Sequence, residues 1–205
     1  MNYASIADIY AANDTVRRKL SARLENLNDA QQTFRPADDA WSIAQIIEHL
    51  SITEKNMVQL IGMLLAKTES AAAAVAPTAA SVGAHDAGEA SSAVAPPRPF
   101  QPFSMDAFIE MAKDKKFTAP ETVKPGGQAA LADSLAALRT TRAAIEGLRP
   151  RLEAADLTVA AYPHPYWGDL NLAQWLAFIG LHEGRHLAQV QRLMAAPGFG
   201  GTNES

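Results

Sequence analysis

Apolar residues recur along this chain at intervals of three, four and seven, and nowhere do they alternate every second residue over a run bounded by turn signals. The first pattern is one face of an α-helix and the second would be a half-buried strand, so the chain is committed to helices. Four stretches carry the pattern. Within the first 28 residues, Ile6, Ile9, Val16, Leu20, Leu24 and Leu27 form one stripe, with Asn28 and Asp29 suited to its end. After a polar connection, Ser42 and Gln45 form an S-x-x-Q capping box. It opens a second helix through Ile43, Ile46, Ile47, Leu50, Met57, Leu60, Ile61 and Leu64 to about Lys67. A third helix is expected from about Gln128 to Leu148, with Pro150 just past its end. The segment YPHPYWGD reads as a loop by its prolines and glycine, and Asn171 and Gln174 suit the start of a fourth helix.

Between the second and third helices the composition changes. Residues 68–103 are rich in Ala, Ser and Pro, with almost no large apolar residue before Phe100, and read as a flexible insertion in which the alanine runs could hold some helix. Regular structure resumes briefly at SMDAFIEMAKDK before KPGG breaks it. The expected fold is therefore all-α, a four-helix bundle forming a single domain over residues 1–205. The first connection is short and makes its helices antiparallel neighbours. Roughly sixty residues separate the second helix from the third, enough for a crossover along the bundle and an up-down-down-up order.

Composition excludes several kinds of function. With 18 Lys+Arg against 22 Asp+Glu the net charge is −4, and no basic stripe recurs along a helix face, which argues against nucleic acid as a partner. There is no cysteine, so disulfides, thiolate ligands and a cysteine nucleophile are excluded. No segment has the length of a membrane span and the N-terminus lacks a secretory pattern, so a cytoplasmic protein without a membrane partner is expected.

Five residues near the end, HEGRH from His182 to His186, fit the H-E-x-x-H pattern of zinc proteases. The two histidines are four apart and share a helix face. They lie in the series Trp175, Ile179, His182, His186, Gln189, Leu193, which continues the buried stripe. On the second helix, Ile46, His49, Thr53, Met57, Leu60 and Leu64 likewise keep helical spacing around a polar patch. One inward histidine is more often a hydrogen-bonded core residue than a ligand, but three in one pocket weigh differently. A buried polar group without a partner costs roughly 1–3 kcal/mol, and a divalent cation turns three such groups into ligands. His49, His182 and His186 are therefore the candidate metal ligands.

The protease reading lacks a third ligand downstream: LAQVQRLM follows His186 with neither the glycine nor the histidine of the metzincin pattern, and Glu204 is the sole acidic residue beyond it. His85 and His164 fall in the insertion and the proline-rich loop and are expected to face solvent, with His164 a lesser candidate for the pocket rim. Glu183 projects about 100° around the helix from His182 and reads as an exposed or interhelical carboxylate. Gln189 is a candidate to orient a ligand or to pack between helices. Glu48 and Glu54 flank the His49 face and are candidates for a base or for orienting a ligand, although a charge on a bundle helix is usually solvated, and no general base is assigned.

WSIAQIIEHLSITE, together with PHPYWGDLNLAQWLAFIGLHEGRHLAQVQRLM, resembles the DinB-like superfamily, and more specifically the branch that includes metal-dependent hydrolases and bacillithiol S-transferases. The resemblance covers the helical parts of the chain and not residues 68–103. It implies an up-down-down-up bundle holding a divalent metal on one histidine from the second helix and an H-x-x-x-H pair from the fourth, which correspond to His49, His182 and His186. Zinc or nickel is the first expectation for the ion, with iron or manganese as alternatives. The implied chemistry is transfer of a low-molecular-weight thiol to an electrophile, or hydrolysis of a small substrate. Without cysteine the thiol would be a cosubstrate. The competing readings are a non-enzymatic bundle that binds a partner or forms a homodimer and, behind it, an H-E-x-x-H metalloprotease.

Overall fold

The computed structural model describes residues 1–75, 100–113, 115 and 117–200. Its four long helices are α1 (Ile6–Leu24), α3 (Ile43–Val75), α5 (Leu131–Ala154) and α6 (Leu172–Met194). Two short helices, α2 (Asp29–Thr33) and α4 (Asp106–Ala112), lie in the connections. The expected capping box at Ser42 forms, and the start expected at Asn171 is a second box. Gln45 N–H donates to Ser42 Oγ at 3.3 Å and Ser42 N–H to Gln45 Oε1 at 3.0 Å; Asn171 and Gln174 repeat the exchange at 2.9 Å in each direction. Asn28 and Gln31 make a third box, so Asn28 opens α2 rather than closing α1.

Contacts between helices fix their directions. Asn13 of α1 bonds the Leu176 carbonyl and Arg17 pairs with Glu183, so α1 and α6 run parallel. Glu54 meets Thr141 and Glu69 meets Arg151, so α3 and α5 also run parallel. Tyr10 Oη donates to Ile145 O and Arg17 Nη1 to Leu138 O, which sets α1 against α5. The order is up-down-down-up. α1 packs beside α6, α6 beside α3 and α3 beside α5, so α1 and α3 are antiparallel as expected but are not the neighbours that their short connection suggests.

The structure departs from the sequence reading at the end of α3, at both ends of α5, which starts at Leu131, and in YPHPYWGD. Helix α3 runs to Val75, eight residues past Lys67, because Thr68 is buried and Glu69 is held by Arg151 at 2.6 Å. Helix α5 continues through Pro150 to Ala154. The proline leaves the carbonyl of Glu146 without its i+4 donor, but both residues lie on the solvent side, where water can serve, and buried Leu152 anchors the turn beyond. YPHPYWGD is not an irregular loop: β3 (Ala161–His164) and β4 (Gly168–Asn171) pair antiparallel, His164 opposite Gly168. A two-stranded hairpin tolerates Pro163 because its outer edge needs no donor, and Trp175 Nε1 donates to Tyr162 O at 3.1 Å, pinning the hairpin to α6.

The crossover from α3 to α5 is tied down along the bundle. β2 (Phe103–Ser104) pairs with β1 (Asn2–Tyr3), and Met105 is fully buried. The chain then passes α4, where Arg185 of α6 holds the carbonyls of Ala112 and Lys115, and reaches a single 3₁₀ turn, Glu121–Val123, against α3. Most of the segment read as a flexible insertion, residues 76–99 with His85, lies outside the described residues. No helix among the described residues is long and apolar enough to cross a membrane.

The core falls into two apolar clusters. One gathers Ile9, Ile61, Leu65, Ile145 and Leu176; the other gathers Leu20, Ile43, Ile47, Leu138 and Val190. Between them lies a polar layer from Asn13 and Arg17 to His49, Thr53 and Glu54 on α3 and His182 to His186 on α6. Backbones approach closely there: a Cβ added at Gly180 would lie 2.1 Å from Asn13 Oδ1 and 3.2 Å from Asn13 Cα. Gly180→Ala is expected to cost about 1–3 kcal/mol as overpacking. Gly147→Ala, on the exposed face of α5 with nothing within 4 Å of the new methyl, should stabilise by up to about 1 kcal/mol. Urea unfolding of the two variants checks both.

Candidate metal centre

Helices α3 and α6 bring His49, His182 and His186 together. One ring nitrogen from each lies within 4.8 Å of the others. Ring centroids are 5.3 Å apart for His49 and His182, 4.9 Å for His49 and His186, and 4.7 Å for His182 and His186. The i, i+4 spacing on α6 stacks its two imidazoles with their Nε2 atoms 3.3 Å apart. That is the separation of neighbouring ligands on one cation with bonds of roughly 2.0–2.1 Å.

Two of the three rings are fixed from behind. His49 Nδ1 donates to the Val123 carbonyl at 2.7 Å, and His186 Nδ1 donates to Gln189 Oε1 at 3.0 Å. Each bond places the proton on Nδ1 and leaves Nε2 with its lone pair, the arrangement that metal-binding histidines require. His49 and His186 are 4% and 7% exposed, with His182 more open. Burial holds all three below the ordinary histidine pKa. It acts on His49 against the pull of the Val123 bond; for His182, burial is reinforced by the neighbouring His186 and His49; His186 is lowered to about 3 by burial and then by His49. The cluster is thus neutral at neutral pH, as ligation demands. Imidazole donors, convergent lone pairs and fixed tautomers fit a divalent cation.

The glutamate of HEGRH is not part of this constellation. Glu183 is 1% exposed and turned to the bundle interior, where Arg17 Nε donates to its Oε1 and Arg142 Nη2 lies 3.5 Å from its Oε2. Arg17 also reaches Glu54 Oε2 at 2.5 Å, and Thr141 Oγ1 donates to Glu54 Oε1 at 2.6 Å. Burial pushes the Glu183 carboxyl up against the pull of Arg17. Burial also opposes the charge of Arg17, but Glu183 and Glu54 outweigh it and raise its pKa. The interhelical alternative for Glu183 holds and the exposed one does not. Glu54, expected to be solvated, is a buried partner in the same ion cluster.

The other residues singled out by sequence separate. Gln189 orients His186. Glu48 is on the surface but not merely solvated, since its carboxylate accepts from the backbone N–H groups of Gly126 and Gly127. His164 is half-buried rather than solvent-facing. It stacks on Trp167 at 4.4 Å and meets Phe178 edge-on at 4.8 Å, and Phe178 in turn lies 5.9 Å from His182. Trp41, whose ring is 5.0 Å from His49, and the Val123 carbonyl were not foreseen. Arg17 could have been, because Asn13, Arg17, Leu20 and Leu24 continue the helical stripe of α1 at steps of three and four.

Two outcomes follow. Arg17→Met leaves two buried carboxylates without their shared partner and should cost about 3–5 kcal/mol in urea unfolding; Glu183→Gln should likewise act on stability while the histidine cluster stays assembled. For His164, burial lowers the pKa to about 4. The folded state keeps it neutral while the unfolded chain protonates near 6.5, so its contribution is complete above that value and is lost as pH falls from about 6.5 towards 4. Over that interval the fall in stability should be shallower for His164→Phe than for the wild type.

Comparison with known proteins gives this architecture a family. A profile of the DinB superfamily matches residues 12–190. Protein YuaE of Bacillus subtilis, itself uncharacterized, is 23% identical over 178 residues, spanning 83% of this chain and 87% of its own. The crystal structure of TT2238, described as a four-helix bundle protein, superposes with a TM-score of 0.54 at 18% identity, covering 92% of this chain and 99% of that one. YfiT from Bacillus subtilis, described as a probable metal-dependent hydrolase with an unusual four-helix bundle topology, gives 0.52 at 16% identity over 92% of this chain and 85% of its own. The chain belongs to the DinB superfamily.

Proposed function

We propose that this protein is a metal-dependent enzyme acting on a small molecule, with one divalent cation held by His49, His182 and His186. The convergence of three neutral imidazoles, two fixed at Nδ1 by Val123 and Gln189, carries the reading. A divalent cation held by His49, His182 and His186 would supply Lewis acidity and would lower the pKa of a water or a thiol bound to it. The chain's own contribution is to hold two of the three ligands in one tautomer and to keep all three rings uncharged. Among the described residues no carboxylate joins the three rings, so the site presents imidazole alone. Zinc or nickel fits such a set first, iron or manganese next.

Either thiol transfer to an electrophile or hydrolysis can use this site. YfiT, described as a probable metal-dependent hydrolase, shares the fold and lends weight to hydrolysis. The absence of cysteine makes any thiol a cosubstrate. Protease chemistry is disfavoured because Glu183, which would serve as its base, is bound to Arg17.

Elemental analysis of protein purified without an affinity tag should find about one equivalent of divalent metal in the wild type and a large loss in His186→Ala. Equal and negligible metal in both would reject the enzyme reading in favour of a bundle that only binds a partner or a second copy. With metal present, metal-dependent loss of small thiols in the presence of epoxides would indicate transfer, and turnover of ester or amide substrates without thiol would indicate hydrolysis.

A further inference from the structure

We propose that Glu48 is a positioning residue that fixes the tautomer of His49 through the crossover loop. The inference rests on the metal-site reading only for its consequence, not for its geometry. Glu48 and His49 are consecutive on α3, so their side chains diverge by about 100° and cannot serve the same contact. Glu48 instead grips the loop from which the His49 partner comes. Its Oε1 accepts from Gly126 N–H at 3.0 Å and its Oε2 from Gly127 N–H at 2.9 Å, a two-point clamp on backbone. Three residues upstream of Gly126, Val123 presents its carbonyl to His49 Nδ1 at 2.7 Å.

The intervening chain is stiff enough to transmit the clamp. Val123 N–H donates to Pro120 O at 3.0 Å and Lys124 N–H to Glu121 O at 3.3 Å, closing the 3₁₀ turn, and Pro125 fixes the next φ. Gly127 has a φ of +72°, open to glycine, and an added Cβ would meet Gln45 Nε2 at 3.1 Å. The loop is therefore seated on Gln45, Glu48 and His49, one patch of α3. The charge on Glu48 makes its two hydrogen bonds stronger than neutral ones, so a surface carboxylate governs which ring nitrogen of a buried histidine is free.

Nitrogen-15 NMR of the metal-free protein tests the clamp directly. Wild-type His49 should show one neutral tautomer, protonated at Nδ1. Glu48→Ala should shift it to a mixture, and Glu48→Gln, which keeps one acceptor oxygen, should fall between. Competition with a chromophoric chelator should show the zinc dissociation constant of Glu48→Ala raised about tenfold or more, whereas Glu110→Ala, which removes an exposed carboxylate of α4, changes neither readout. Should Glu48→Ala fail to fold, Gly127→Ala displaces the same loop and must move both readouts the same way. An unchanged tautomer in a folded variant overturns the proposal. If wild type binds no zinc, the metal reading fails while the tautomer comparison still decides the clamp.

Discussion

Everything in this bundle is arranged around one guanidinium. Arg17 reaches from α1 to Glu183 on α6, Glu54 on α3 and the Leu138 carbonyl on α5, so a single side chain bonds all three other long helices. With Arg142 it balances two carboxylates, leaving the cluster near neutrality in a place where an unpaired charge would be costly. Apolar packing alone would tolerate a slip of one helix against another by a turn, because Leu and Ile fill space without direction. Charge-assisted hydrogen bonds do not tolerate it, and they fix the register in which His49 faces His182 and His186.

The parallel pairing of α3 with α5 makes the second requirement. A chain leaving the end of α3 must travel back along the bundle before α5 can start beside the first turns of α3. The return path crosses the outer side of α6, where Arg185 holds it, and ends at the 3₁₀ turn over the histidines. The topology thus delivers to the site a backbone carbonyl from outside the four long helices.

How far these features could be read in the sequence depended on range. Local signals were legible: the capping boxes at Ser42 and Asn171, and the inward stripe that placed His49, His182 and His186 on facing helices. The four helices follow from that periodicity, and the up-down-down-up order was open to it through the length of one connection. Features arising from contacts distant in the chain were hidden. Nothing near Val123 marks it as a histidine's partner, and Glu54 looks like a solvated helix residue until Arg17 is placed beside it. Pro150 and the prolines of YPHPYWGD were read by intrinsic preference, which lost to exposure on α5 and to a free hairpin edge. HEGRH itself holds two ligand candidates and one ion-pair residue, because successive positions on a helix face different neighbours.

The short strand pair between Phe103–Ser104 and Asn2–Tyr3 has a mechanical meaning. It fastens the crossover to the start of α1, with Met105 N–H bonded to Met1 O at 3.0 Å and the Met105 side chain driven into the core. Downstream of that stitch the chain is held again where Arg185 of α6 donates to the carbonyls of Ala112 and Lys115. The path from α4 to Val123 therefore starts from a fixed point, which shortens the free chain that must be ordered to bring a carbonyl to His49.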